Sequence, residues 1–540
     1  MLRFVSATAT LSLLLCLTRS ASARQPAPPS APQPVPPSVT IFPQASCAPP
    51  QLFHSPTLLA NSSYNPDRHR QSVSPGVRLV TIFPPTDALP LSTDYLLKVR
   101  APGQPWKEVP VYQVKVADGS AGIFKTKESS MAYFDFSGKV ELAVTCKKGQ
   151  PRSARIRPLS YNIPAQTEGN TLHFFLDQPR NISIEPDGDI FHNLQLFAGP
   201  PETTVPDKAD SNTLYYGPGV HVIGTLHVPG GKHVYLAGGA VVEGQFLIDQ
   251  QENIHISGRG ILYQPPGNSI QYDKGRRDAI RIDFSKDISV DGIIVIPNTY
   301  TVLIGNSRHV QLSNLKSISA GGNNDGVDVF CSGDVLMEGL FLRNSDDCIA
   351  IYGHRWQYYG NVDNITVRNS MLWADVAHPI LAGTHGDPGH PDTLEDLHFT
   401  NIDILDQQEN QVDYQGCMSL NAGDSNLIRN VRFEDIRVED FRKGQLVNLR
   451  IMYNKKYNTA PGKGIENVLF KNISYTGSHA AMSVIAGYDE ARSIRNIIFQ
   501  GLTINGKLIT DHMPDKPGWY KTSDMAGFYV GEHVGALQFE

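Results

Sequence analysis

Asn323-Asn-Asp-Gly-Val-Asp-Val329 and Asn344-Ser-Asp-Asp-Cys-Ile-Ala-Ile351 place Asp325 and the pair Asp346/Asp347 at equivalent points of consecutive repeats. Carboxylates gathered in this way repel one another, so a fold keeps them together only where something uses them. Two uses fit, general acid/base chemistry and the binding of a hard cation. Cleavage of a glycosidic bond needs one protonated carboxyl to assist the leaving oxygen and one ionised carboxylate to activate water or attack the sugar. Two acids side by side push their pKa values apart and supply both forms at one pH. An isolated Asp-Gly is usually a turn, and an Asp-Asp pair beside an apolar strand is usually a solvated edge. The two together, one repeat apart in near-matching frames, argue for chemistry. Asp328 reads as a turn or supporting residue. Side chains alternate along a strand, so Asp346 and Asp347 share one face only if the backbone bends, and a strand end or bulge is expected near Ser345.

The elements that must hold these residues repeat. From about residue 215, segments such as His255-Ile-Ser-Gly-Arg-Gly-Ile-Leu-Tyr263, Val310-Gln-Leu-Ser-Asn-Leu-Lys-Ser-Ile318, Leu397-His-Phe-Thr-Asn-Ile-Asp-Ile-Leu405 and Ile497-Ile-Phe-Gln-Gly-Leu-Thr-Ile-Asn505 recur. Each is a short strand, a tight Asn/Asp/Gly turn and another short strand, repeated roughly every 20 to 40 residues without intervening helices, which is the signature of a parallel β-helix. One coil cannot bury its apolar face alone, and stacked coils share a core. Neighbouring coils lie about 4.8 Å apart, so matching positions form a ladder. Gly or Asn at the turns supplies left-handed backbone, and no further role is needed for them.

The all-β reading extends upstream. Short alternating strands such as Tyr95-Leu-Leu-Lys-Val-Arg100 and Val140-Glu-Leu-Ala-Val-Thr145, broken by Pro, Gly and Asp, predict an antiparallel β-sandwich over 51–205, ahead of a β-helix over 206–540. Residues 24–50 are Pro-rich and read as an extended linker. Residues 1–23 read as an export signal, with Arg3, an apolar core from Leu11 to Leu17 and a small-residue cleavage site at Ala21-Ser-Ala23, which places the expected product outside the cell or in the periplasm. Five cysteines then remain: Cys47, Cys146, Cys331, Cys348 and Cys417. Their odd number leaves at least one unpaired within the chain, and Cys331 and Cys348 could either bridge or stay as buried thiols. A net charge of −6 with scattered Lys and Arg gives no footprint for nucleic acid, and no run after the signal is long enough to span a bilayer.

The aspartate motifs resemble those of glycoside hydrolase family 28, the polygalacturonases, which read Asn-Thr-Asp-Gly-x-Asp and Asp-Asp-Cys-x-Ala at the same separation. That resemblance implies a right-handed parallel β-helix and an inverting mechanism, with Asp346 as general acid and Asp325 and Asp347 activating water. The family's Gly-His-Gly falls on Ala377-His378-Pro379, keeping the histidine, and its Arg-Ile-Lys falls on Arg450-Ile451-Met452, losing the lysine that helps meet a uronate. The two-domain layout resembles family 49 of the same clan, the dextranases and isopullulanases, through stretches such as Gly217-Pro-Gly-Val-His-Val-Ile and Met371-Leu-Trp-Ala-Asp-Val-Ala-His. Candidate substrate contacts are His378, Arg450, Asn323, Trp356, Tyr352 and His385. Trp356 stands as a stacking platform on the loop after Tyr352, and Arg450 on its apolar strand calls for a partner carboxylate or ligand.

The expected protein is a secreted, monomeric, metal- and cofactor-independent inverting hydrolase whose partner is a polysaccharide. Pectin-type chains are preferred to α-glucans. A lyase on the same solenoid would hold Ca²⁺ with its acids and need a basic residue, for which only Arg343 and Arg450 stand near. A purely carbohydrate-binding β-helix would have no reason to cluster three acids.

Overall fold

The computed structural model describes residues 79–120, 124–267 and 278–540. The expected export signal, the Pro-rich linker and Cys47 lie outside the described residues. From Thr213 onward, short strands pair in parallel with the strand one coil later, building a single continuous sheet wound into a right-handed parallel β-helix. One apolar core runs its length, from Val228 and Val234 to Phe528 and Phe539. Inside it Phe399, Phe433, Phe470 and Phe499 stack ring on ring at 4.6–5.0 Å, one per coil. Each such pair contributes about 0.5–1.5 kcal/mol beyond the area it buries. At the corners, Asn369, Asn401, Asn430, Asn467 and Asn496 hold positive φ, and Asn401, Asn467 and Asn496 each donate a side-chain hydrogen bond to the asparagine one coil earlier.

One strip of this helix matters most below. It comprises β1 (Ile280–Asp283), β2 (Val302–Gly305), β3 (Val327–Phe330), β4 (Ile349–Tyr352), β5 (Ile380–Gly383), β6 (Met418–Ala422) and β7 (Val447–Ile451). Val302, Val327, Ile349, Ile380, Met418 and Val447 are in register and point into the core. By alternation the other face carries Leu303, Phe330, Ala350, Tyr352 and Leu381, which form a separate cluster with Tyr300, Tyr358, Tyr414 and Met452.

Ahead of the helix stand two sheets. One has five antiparallel strands and includes Tyr95–Arg100, Val140–Cys146 and Thr171–Leu176. The other has six and is antiparallel except where Leu194–Gly199 runs parallel to Ser130–Asp135. Their inner faces share a core that includes Leu97, Phe134, Leu142, Phe174 and Leu196. The outer face of the second sheet packs Tyr112, Val116, Met131 and Phe197 against Val241, Ile294, Ile318, Phe341 and Met371 of the helix.

Buried charges cross this interface. Arg343 is fully buried, donates to both oxygens of Asp375 at 2.9 and 3.2 Å, and reaches Asn193 Oδ1 and the Ile190 carbonyl of the sandwich. Its guanidinium lies 3.9 Å over the Trp373 ring. Arg157 of the sandwich donates to Glu439 of the helix at 2.7 Å, and Arg259 of the helix donates to Asp135 at 2.9 Å. Arg343 therefore faces the sandwich and is not a base beside the aspartates. Cys146, Cys331, Cys348 and Cys417 are buried free thiols, so the alternative of a bridge between Cys331 and Cys348 is not realised.

Removing one member of a buried, hydrogen-bonded charge pair strands the other. Arg343→Met is expected to cost about 3–5 kcal/mol, measured by chemical denaturation of variant and wild type. An unchanged transition midpoint would mean that the bridge contributes no stability.

Candidate active site

The strand before β4 ends at Asn344 and β4 begins at Ile349, so Ser345–Cys348 turns a corner. This is the expected strand end, and it lets both acids of the pair reach one site. The ladder continues through the corners, where Gly326 N donates to the Asp347 carbonyl and Cys348 N to the His378 carbonyl, both at 2.8 Å. Asp325, Asp347 and His378 thus occupy the same position of three consecutive coils, two residues ahead of β3, β4 and β5. Carboxylate oxygens of Asp325, Asp346 and Asp347 all lie within 4.8 Å of one another, with Asp325 and Asp347 buried and Asp346 half-buried.

The acids are held differently. His378 is fully buried. Its main-chain N and its Nδ1 both donate to Asp347 Oδ1, at 3.0 and 2.7 Å, and its Nε2 meets the Tyr414 carbonyl. Carboxylate and carbonyl accept only, so both ring nitrogens must carry protons. Burial opposes that charge, but Asp347 overrides it and raises the imidazole to about 9. Tyr352 adds its hydroxyl to Asp347 Oδ2 at 3.4 Å. Among the described residues no cation forms an ion pair with Asp346. Its Oδ1 accepts the Asp347 N–H at 3.1 Å and its Oδ2 the Asn323 amide at 3.4 Å. Loss of solvation, followed by the charge of Asp347, raises it from 3.8 to about 8. The corner therefore sets a carboxyl raised toward its protonated form beside one that bonds an imidazolium, an arrangement suited to acid/base catalysis at a glycosidic oxygen. Three carboxylates this close could also hold a hard cation, though the His378 imidazolium would compete for Asp347.

The structure brings Asn323, Tyr352 and His378 to the aspartates. Tyr352 and His378 were expected against the sugar, but their burial gives them to Asp347 instead. Trp356 and His385 lie toward the opposite edge of the strip. Trp356 is 37 % exposed and packs edge-on against Phe330. His385 meets the Tyr352 ring edge-on, and burial followed by the nearby Arg355 charge lowers it to about 3, so it is neutral. Arg450 stands three coils beyond β4, in register with Asn421 and Gly383. No carboxylate lies within ion-pair distance of it among the described residues. Burial lowers its pKa, Asp413 offsets part of that, and its Nε is buried without a hydrogen bond. Met452 is buried in the aromatic cluster.

Sequence reasoning missed the segment 407–416 between β5 and β6. Its buried Glu409 accepts the Gln411 N–H at 2.6 Å and raises both Asp346 and His378. Its Tyr414 stacks edge-on against His378 at 4.6 Å. The available signal was the polar run Gln407-Gln-Glu-Asn-Gln-Val-Asp-Tyr-Gln415, too long for a corner of the repeat.

The profile of glycosyl hydrolases family 28 matches residues 239–514, which contain this whole corner. The chain belongs to that family. Among its relatives, endopolygalacturonase B of Aspergillus niger is 26 % identical over 240 residues, covering 44 % of this chain and 59 % of that protein. A polygalacturonase of Juniperus ashei is 24 % identical over 220 residues, covering 40 % and 41 %. The chain thus spans between about a third and three-fifths of the length of the curated relatives it matches. The structure of Dex49A from Penicillium minioluteum superposes with a TM-score of 0.51 at 15 % identity, covering 83 % of this chain and 96 % of that one. That likeness is one of fold. It takes in more of the chain than the β-helix alone and supports the two-domain, family 49-like layout.

The unfolded chain ionises Asp346 near 3.8, the folded chain near 8. Between those values the unfolded state binds fewer protons, so this carboxyl destabilises the fold increasingly as pH rises from about 4 to about 8. Asp346→Asn removes the penalty. The variant should melt alongside the wild type at about pH 4 and above it at about pH 8. A variant that melts with or below the wild type at the upper pH would show that Asp346 is not held neutral.

Proposed function

We propose that the chain is an exported, inverting polysaccharide hydrolase of the polygalacturonase type, acting on pectin-like chains. The observation that carries this is the division of labour at one corner, with Asp346 pushed toward its protonated form and Asp347 bonded twice by His378. In this reading Asp346 donates its proton to the glycosidic oxygen. Asp347 and Asp325 orient a water and take its proton as it attacks the anomeric carbon, and His378 keeps Asp347 ionised throughout. Asn323 steadies Asp346 at the mouth of the site. Trp356 offers a sugar its exposed ring. Family membership, and relatives named as polygalacturonases, support the same chemistry. Export is proposed from the character of residues 1–23.

Met452 favours a second reading. A buried thioether stands where the family resemblance calls for an ammonium, which suits a neutral α-glucan as well as a uronate chain.

Reducing-end release from polygalacturonate, rhamnogalacturonan, dextran and pullulan decides between these readings. One polymer should be cut, and Asp346→Asn should lower the rate by about 10²–10⁴-fold. Undiminished release by the variant would remove Asp346 from the acid role, and silence on all four polymers would overturn the hydrolase reading. Release should survive a chelator, whereas a lyase built around Ca²⁺ would lose activity.

The rate should also fall as pH rises through about 8, where Asp346 loses the proton it must donate. Oxygens within 4.8 Å are closer than the usual 6.5–9.5 Å of inverting pairs, and near the roughly 5–5.5 Å of retaining ones. The anomer of the first product, followed by proton NMR, is therefore a direct test, and retention would exclude the inverting assignment.

A further inference from the structure

We infer that the cleft is closed one coil beyond the aspartates, so that the enzyme works from a chain end rather than cutting within the chain. This rests on the hydrolase reading above and describes how that site meets its polymer.

The segment 407–416 leaves the edge of the strip that carries Asp325, Asp347 and His378. The segment 452–463 leaves the opposite edge, after β7. In an open groove these would be separate walls with the sugar chain lying between them. Here they join across the outer face. Gln411 Oε1 accepts the Tyr457 hydroxyl at 2.8 Å and the Lys456 ammonium at 2.9 Å. Asn454 donates to Asp413 Oδ2 at 3.2 Å. The rings of Tyr414 and Tyr457 stack at 4.8 Å, with 26° between their planes.

Tyr414 shows how complete the crossing is. At one edge of β5 its carbonyl accepts His378 Nε2, and at the other edge its hydroxyl lies 3.3 Å from Thr384 Oγ1. The side chain therefore runs the length of the strand over its outer face. Of the outward-facing residues of β5, β6 and β7, Leu381, Ser419, Asn421 and Asn448 are fully buried, and Arg450, beyond the crossing, is half-buried. Both halves of the clasp are also tied down. Glu409 accepts the Gln411 N–H and its carbonyl accepts Gln415 Nε2, while Asn458 donates to the Thr384 carbonyl. A sugar chain reaching Asp346 cannot continue along the strip past β5, and what fits against such a barrier is an end.

The test follows viscosity and product size together on whichever polymer the wild type cleaves. Reducing ends should appear with little loss of viscosity, and the earliest products should be mono- or disaccharides. A steep fall in viscosity per bond cut would overturn the inference while leaving the hydrolase reading intact. No cleavage of any polymer would overturn that reading, and the inference with it. The double variant Gln411→Gly/Tyr457→Ala should open the clasp and shift products toward longer oligosaccharides. If it keeps the wild-type fold and product pattern, the clasp does not set the mode of action. If it fails to fold, the wild-type product pattern alone decides.

Discussion

The contact on which the site depends is the hydrogen-bonded pair of Asp347 and His378, two residues at the same position of adjacent coils. Both are buried, and a buried charge is costly unless it is paired and hydrogen-bonded. Together, with a carbonyl on the far side of the ring, they form a neutral unit whose negative end faces Asp325 and Asp346. Burial does most to raise Asp346, and the charge of Asp347 adds to it. One pair therefore keeps the imidazole charged and adds to the rise of Asp346. It can do so because the spacing between coils is fixed by the backbone ladder rather than by flexible side chains.

That ladder must be stiff at this corner, and the sandwich helps to make it so. Its outer sheet lies against the strip that includes Phe341–Asn344, the strand leading directly into Ser345, Asp346 and Asp347. Arg343, one residue before that strand's end, is locked between Asp375 and the sandwich carbonyl of Ile190. Arg442 shares Asp375 and bonds Asp406 at 2.6 Å, at the start of the segment that carries Glu409 and Tyr414. The Gly119 carbonyl of the sandwich accepts Asn410 Nδ2 from that same segment at 2.9 Å. The sandwich thus braces the acid corner and one arm of the clasp, a role in positioning that needs no sugar contact of its own.

Much of this was legible in the sequence, for a reason that also explains what was not. A solenoid writes its fold as periodicity, so strands, corners and coil-to-coil register could be read from recurring apolar pairs and Asn or Gly turns. Asp325 and Asp347 were visible because they fall in that frame. Residues outside the frame carry no such signal. The segments 407–416 and 452–463 interrupt the repeat, and nothing in their residue types says that Gln411 will find Tyr457 across a sheet. His378 was found, but alignment cannot tell a ring that faces the sugar from one that faces an aspartate. Its two acceptors, and hence its charge, exist only in three dimensions. Arg343 read as a cation near the acids because sequence distance is short, whereas strand alternation turns it to the other side.

The same geometry explains why the fold tolerates a costly site. Asp346 is kept neutral against its own preference and Arg450 is half-buried without a paired carboxylate among the described residues, so each subtracts from stability. The cost is local, whereas the stabilising interactions extend along the solenoid. Each coil adds another layer of Val, Ile, Leu and Phe to one uninterrupted core, and the energy of a stack grows with the number of its interfaces. Positions with unfavourable electrostatics are therefore carried by the core that all the coils share. Adding coils lengthens the core without moving the acids, while segments inserted between coils, such as 407–416, can reshape the space above the acids without disturbing the ladder beneath. In such an architecture chemistry and mode of access vary independently, because one is set by the rungs and the other by what bridges them.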